Sequence, residues 1–124
     1  MIKELLFDNL TLCCEVISMG RDVTIAVYGG DTPHIGSIVL SVPRPSLTGD
    51  GISVTSSVLN GIGHKDEEIA RLFAETVARQ YNCTVCCSCG IHIDNITPAQ
   101  IQVVQEKCKC ILNKMATELQ PILK

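Results

Sequence analysis

Aromatic residues and an excess of positive charge are both missing from this sequence of 124 residues. Tryptophan is absent, and tyrosine and phenylalanine occur only twice each, so few side chains could stack on a nucleic-acid base. Thirteen acidic residues outnumber ten Lys and Arg, which gives a formal net charge of -3. No segment concentrates the cations that a phosphate backbone requires. We therefore expect no nucleic-acid partner.

Long apolar runs and an export signal are also missing. Runs such as "SIVLSV" at 37–42 are far shorter than the roughly 20 residues that span a bilayer. The opening "MIKELLFDNL" has neither the basic region nor the continuous apolar region of a signal peptide. We expect one domain over residues 1–124, cytoplasmic and without a membrane partner. A hydrophobic fraction of 46% against 19% charged residues also favours a homo-oligomer.

Common catalytic motifs are absent as well. The glycines at 29, 30 and 36 are not followed by a predicted helix, so they do not form a dinucleotide fingerprint. Neither a nucleophile elbow nor a phosphate-binding P-loop occurs. No cysteine has a general base at a recognisable spacing, so nucleophilic catalysis has no support.

Cysteine, in contrast, is abundant, and without an export signal disulfides are disfavoured. Cys86 lies at zinc-ligand spacing from both Cys83 and Cys89, but this stretch is predicted to be a strand, where residues three apart face opposite sides. We favour buried thiols that act as small hydrophobic side chains, and keep a metal site and redox pairing as alternatives. The eight cysteines are Cys13, Cys14, Cys83, Cys86, Cys87, Cys89, Cys108 and Cys110.

The apolar periodicity predicts the order β-β-β-β-α-β-α. This is an α+β fold with a mainly antiparallel sheet and helices packed on it. The prolines of "PRPS" at 43–46 are expected to end the third strand because they cannot donate to a ladder. The predicted strands lie within 4–19 and at 23–30, 34–42, 52–59 and 84–93, and the helices run from His64 to near Asn82 and from a Thr97 cap to near Pro121.

Three histidines stand at the predicted ends of elements, where ligands often meet loops. His34 precedes a strand, His64 opens a helix, and His92 follows Gly90. Each taken alone is typical of a turn residue bonded to nearby backbone. Together they suggest a divalent metal site, although no pair has the spacing that preassembles two ligands, or an anion site that includes Lys65.

Four blocks of the sequence resemble one known family. They are similar to the D subunits of gallate and hydroxybenzoate decarboxylases, which are described as prenylated-flavin chaperone-like proteins. The family's fold resembles that of the fourth proteasome assembly chaperone, a β-rich sheet that carries helices and often forms a dimer. The blocks are "GRD" at 20–22, "GGDTPHIG" at 29–36, "GHKDE" at 63–67 and "GIHIDNITPAQI" at 90–101.

The resemblance implies a small non-catalytic subunit that binds or delivers prenylated FMN to the catalytic subunit of a UbiD-like decarboxylase. It also implies which residues face the cofactor, with the phosphate at His64 and Lys65. Two other hypotheses stay open: a small metal-dependent lyase or hydrolase that uses the three histidines, and a purely structural assembly subunit. The residues that the resemblance assigns to the cofactor are His34, Gly36, His64, Lys65, Asp66, His92 and Asp94.

Overall fold

The computed structural model describes residues 1–61 and 65–119. They form six strands and two helices around one hydrophobic core, which confirms the predicted α+β class. The elements are β1 (Ile2–Leu5), β2 (Thr11–Met19), β3 (Asp22–Gly30), β4 (Ser37–Pro45), β5 (Ile52–Asn60), α1 (Lys65–Tyr81), β6 (Val85–His92) and α2 (Pro98–Leu119).

The strand β1 was not predicted as a separate element. It pairs antiparallel with β2, from Ile2 opposite Cys14 to Leu5 opposite Thr11. A tight turn at residues 6–10 reverses the chain, and Asp8 and Asn9 there adopt positive φ angles. The strand is short and buries only one side chain, so its periodicity was too weak to separate it from β2.

The sheet has the order β1-β2-β3-β6-β4-β5. Every neighbouring pair is antiparallel except β3 and β6, which run parallel. The last strand in the chain, β6, is therefore inserted between β3 and β4. Because β3 and β6 are parallel, their carboxyl ends lie together, with Gly30 opposite His92.

The predicted bounds of the third strand, 34–42, were wrong at both ends. The corresponding β4 begins at Ser37, which leaves His34 in the preceding loop, and it continues to Pro45. Pro43 and Pro45 are two residues apart, so their nitrogens point to the same edge of the strand. Pairing of β4 with β6 stops at Ser41, and beyond it β4 pairs only with β5. The two prolines, which have no N–H to donate, lie in this part of the strand.

Both helices pack on the same face of the sheet. Helix α1 lies over β4 and β6, while α2 lies over β1 and β2. The capping box predicted at the start of α2 is confirmed, because Gln100 N–H donates to Thr97 Oγ1 and Thr97 N–H donates to Gln100 Oε1. The predicted helix start at His64 and end at Pro121 lie outside the described residues. No described helix combines the length and apolar character of a membrane span.

Six of the eight cysteines are buried, as expected of small hydrophobic side chains, whereas Cys86 is partly buried and Cys110 is exposed. Cys87 and Cys89 of β6 point into the core, where burial raises the pKa of both thiols. Burial also raises the pKa of Cys14 and of Cys108 to about 12. These four thiols therefore stay protonated at neutral pH, in keeping with the hydrophobic interpretation and unlike zinc ligands, which must be thiolates.

The second face of the sheet carries no helix within residues 1–61 and 65–119. Cross-strand register puts Ile17, Leu40, Val42 and Leu59 on this face, which we call the open face. All four side chains are exposed, and Leu59 retains 72% of its accessible surface. Leu40, Val42 and Leu59 form an apolar strip on β4 and β5, while Ile17 lies on β2 with Thr24 and Cys86 between it and Leu40. Such exposed apolar side chains on a sheet are typical of a surface that another chain covers.

Candidate functional site

The carboxyl ends of β3 and β6 and the first turn of α1 meet at one end of the sheet. The loop at residues 31–36 leaves β3 there, and the loop at 93–97 leaves β6. Asp31 N–H donates to His92 O across the two strand ends, at 2.7 Å. The predicted site residues in the described part of the chain all lie on these loops, strand ends or the helix start.

Asp66 is the buried centre of this region. Only 2% of its surface is accessible. Its Oδ1 accepts the N–H of Ile91 at 3.1 Å, and its Oδ2 lies 3.4 Å from Nε2 of His34. A single carboxylate thereby links the first turn of α1 to β6 and to the loop after β3.

Two glycines allow the loop to approach this carboxylate. A Cβ atom on Gly36 would overlap Oδ2 of Asp66, and a Cβ atom on Gly90 would overlap the carbonyl oxygen of His34. A side chain at residue 90 would therefore require the backbone to move, and one at residue 36 would require the buried Asp66 carboxylate to move. Gly36 belonged to the predicted site, whereas Gly90 did not, although it stands in a quoted sequence block.

His34 is held in a defined orientation with part of its ring exposed. Its Nδ1 lies 3.0 Å from the carbonyl oxygen of Thr32, which can only accept, so Nδ1 carries a proton in that contact. The opposite nitrogen faces Asp66, and 37% of the side chain is accessible. His34 also borders a shallow hollow of about 390 Å³ on the open face, next to Tyr28 and Ile35.

His92 and Asp94 form a second, more exposed group. His92 Nε2 lies 2.9 Å from Asp94 Oδ1, and Asp94 N–H donates to Asp31 Oδ2 at 2.8 Å. The side chains of His92 and Asp94 are 47% and 71% accessible. The structure thus brings His34 together with Asp66, and His92 together with Asp94, as two neighbouring clusters at one end of the sheet.

Lys65 is the first residue of α1, and its side chain is exposed. Together with Asp66 it borders an apolar pocket of about 80 Å³ between α1, β6 and α2. His64 lies outside the described residues. Within residues 1–61 and 65–119, no three His, Cys, Asp or Glu side chains are arranged to hold a metal ion.

The pocket was missed by sequence reasoning because its walls come from separate elements. Ile69 of α1 and Val104 of α2 fall at the spacing of core residues, and Ile91 belongs to a buried strand. The available signal was Ile96 and Ile101, two aliphatic residues in a loop and on the first turn of a helix. Ile96 is only partly buried and Ile101 is 42% exposed, so the core encloses neither side chain fully.

The comparisons with known proteins agree with this architecture. A family model described as the prenylated flavin chaperone LpdD-like domain matches residues 7–120. Protein LpdD of Lactiplantibacillus plantarum is 34% identical over 87 residues, which cover 67% of this chain and 58% of that protein. The match thus spans less than two thirds of that relative's length.

A solved structure shares the fold. A chain of a chaperone complex for yeast 20S proteasome assembly superposes with a TM-score of 0.57 at 11% identity. The superposition covers 93% of this chain and 98% of that one. At this identity the likeness concerns the fold alone, and the expected resemblance to a proteasome assembly chaperone fold is confirmed.

Replacing the buried carboxylate tests whether it holds this end of the sheet together. Asp66→Ala leaves the Ile91 N–H without its acceptor, and we expect the free energy of unfolding to fall by about 1–3 kcal/mol. Asp66→Asn keeps an oxygen for that N–H and should lose less. Urea unfolding at constant pH measures both values.

The matched control is Glu68→Ala in the same helical turn. Glu68 is exposed, so its removal should cost no more than the ~0.3–1 kcal/mol of an exposed carboxylate near a helix N-terminus. An Asp66→Ala loss no larger than that of the control would show that the buried contacts are not stabilising.

Proposed function

Since this chain belongs to the family of prenylated flavin chaperone LpdD-like domains, we propose that it binds prenylated FMN and delivers it to the catalytic subunit of a UbiD-like aromatic acid decarboxylase. The family supports a chaperone role. We propose in addition that the cargo is the prenylated flavin and that the recipient is the decarboxylase. The observation that carries it is the family match over residues 7–120. This range includes the end of the sheet that bears His34, Asp66, His92 and Asp94, which we call the polar end.

The polar end offers groups suited to the polar parts of a flavin nucleotide. The exposed Lys65, followed on α1 by backbone N–H groups of the first turn, suits the phosphate, with His64 beside it in sequence. His34, His92 and Asp94 present partly exposed donors and acceptors for the ring edge and the ribityl hydroxyls. Asp66 and Gly36 are positioning residues in this proposal, because they hold His34 in place.

An open, shallow site also suits a protein that releases what it binds. Resident cofactors and tightly held ligands are usually buried over most of their surface. Here the two histidines are about half exposed, and the adjoining pocket of about 80 Å³ is too small for a flavin ring system. The cofactor would therefore remain accessible to the partner enzyme while bound.

Cofactor binding can be tested directly. Purified protein mixed with oxidised or reduced prenylated FMN should change the flavin absorption spectrum and show a raised Tm. A ligand at about 100 times its Kd stabilises the folded state by ~2.7 kcal/mol, which shifts the Tm by several degrees. His34→Ala and His92→Ala should each weaken binding at least several-fold, because each removes a contact to the flavin.

Arg79→Ala is the control, because Arg79 is exposed in the last turn of α1, away from the polar end. It should bind like the unmodified protein. No spectral change and no Tm shift with either redox form would refute cofactor binding. A His64→Ala, His92→Ala variant that still supports full activity of the decarboxylase would indicate a purely structural subunit instead.

We further propose that the protein is a homodimer that pairs through the open face. This face carries the exposed strip of Leu40, Val42 and Leu59, and Ile17 farther along the sheet, whose burial would favour association. His34 and Tyr28 border the hollow at the edge of the same face. A second copy placed there would bring this hollow, and with it His34, to the subunit interface.

Light scattering coupled to size-exclusion chromatography tests the dimer. The unmodified protein should elute with twice the mass of one chain, and Leu40→Lys should elute as a monomer because it places a charge in the centre of the strip. Leu47→Lys is the control, since Leu47 is 93% exposed in the turn between β4 and β5. A dimer that survives Leu40→Lys would show that the interface lies elsewhere.

A further inference from the structure

We infer that the apolar pocket between α1, β6 and α2 receives the five-carbon prenyl unit of the modified flavin. The inference rests on the proposed function and identifies the part of the molecule that distinguishes prenylated from unmodified FMN. It assigns a role to residues outside the polar clusters, namely Ile69, Ile91, Ile96, Ile101 and Val104.

The walls of the pocket are mainly aliphatic, although Lys65, Asp66, Glu68 and Gln105 also line it. Ile69 comes from α1, Ile91 from β6, Ile101 from the first turn of α2, and Ile96 from the loop before it. None of the lining residues is aromatic, so the pocket offers no flat surface on which a flavin ring could stack. Branched isoleucine and valine side chains instead match a branched aliphatic group by dispersion contacts and by exclusion of water.

The size of the pocket restricts its occupant further. An engineered apolar cavity of about 150 Å³ is large enough to bind benzene. The pocket measures about 80 Å³, about half of that volume, and is open on one side, so it suits the branched end of a short aliphatic group whose remainder stays outside. A tricyclic flavin ring is several times too large to enter. The ring would therefore stay at the mouth while the branched end of the prenyl unit enters the pocket.

The position of the pocket joins it to the polar end of the sheet. Lys65 and Asp66 form part of its rim, and Asp66 also contacts His34. Ile91 links the two regions directly, since its N–H bonds to Asp66 while its side chain lines the pocket. A molecule that carries a short aliphatic group on a polar, anionic body can thus place that group in the pocket and its polar body at the rim, where Lys65 lies.

Titration calorimetry with two probes, prenylated FMN and unmodified FMN, tests the assignment. Unmodified protein should bind prenylated FMN about tenfold more tightly or better, because burial of the aliphatic carbons adds to the affinity. Ile101→Phe should reduce this preference to within about twofold and leave the affinity for FMN unchanged. Ile101 is 42% exposed, so the larger ring can be accommodated at the pocket without opening the core.

Gln102→Phe is the matched control. Gln102 is exposed on the same turn of α2 and points about 100° away from Ile101, so the preference should survive. A second measurement needs no variant: isoleucine methyl NMR signals of Ile69, Ile91 and Ile101 in the unmodified protein should shift with prenylated FMN and not with FMN.

The outcomes separate this inference from the function on which it rests. Equal affinity for both flavins, or a preference that Ile101→Phe leaves unchanged, would overturn the pocket assignment while flavin binding stands. Isoleucine methyl signals that respond equally to both flavins would overturn it as well. Failure of both flavins to bind would overturn the proposed function and this inference together.

Discussion

A buried carboxylate determines how the functional end of this protein is built. An ionised side chain loses its hydration in the protein interior. The fold is destabilised unless hydrogen bonds or an opposite charge compensate for that loss. Asp66 accepts the Ile91 N–H through Oδ1, and its Oδ2 lies 3.4 Å from Nε2 of His34, so it contacts two different parts of the chain. The approach of the loop is possible only because residue 36 has no side chain. Helix start, strand end and loop are thereby held in one arrangement.

The insertion of β6 next to β3 determines where in the fold this arrangement lies. The parallel pair brings the loops after both strands to the same end of the sheet, with the helix α1 that connects to β6 beginning beside them. Polar groups gather on one side of Asp66 and isoleucines on the other. A ligand that is polar along one edge and aliphatic at one corner meets both kinds of surface there, which is the reason we assign the prenyl unit to the pocket.

The sequence predicted those elements whose periodicity is strong and local. The two helices, the hairpin of β2 and β3, and the cysteine-rich strand follow from apolar spacing, and the capping box at Thr97 marks the start of α2. The strand β1 is short and mostly exposed, so it left little pattern. The extension of β4 through Pro45 depended on which edge of the strand stays unpaired, and no local rule contains that information.

The site was predictable in its members and not in its geometry. Histidines and acidic residues beside glycines marked the polar end. The sequence did not show that Asp66 is buried, because Glu67 and Glu68 beside it are equally acidic. All three are carboxylates in the first turn of a predicted helix, where they interact favourably with the helix dipole. Only the tertiary approach of Gly36 and Ile91 singles out one of them. The pocket, assembled from three elements and a loop, was likewise visible only in three dimensions.

The central claim is that Asp66 and the loop at Gly36 pack as one unit, and a double-mutant cycle tests it most directly. Gly36→Ala alone should cost about 1–3 kcal/mol, because the added methyl overlaps the carboxylate. In an Asp66→Ala background the overlapping oxygen is gone, so the same change should cost at least about 1 kcal/mol less. Strictly additive losses in urea unfolding would mean that the two residues do not sense each other, and would contradict the account.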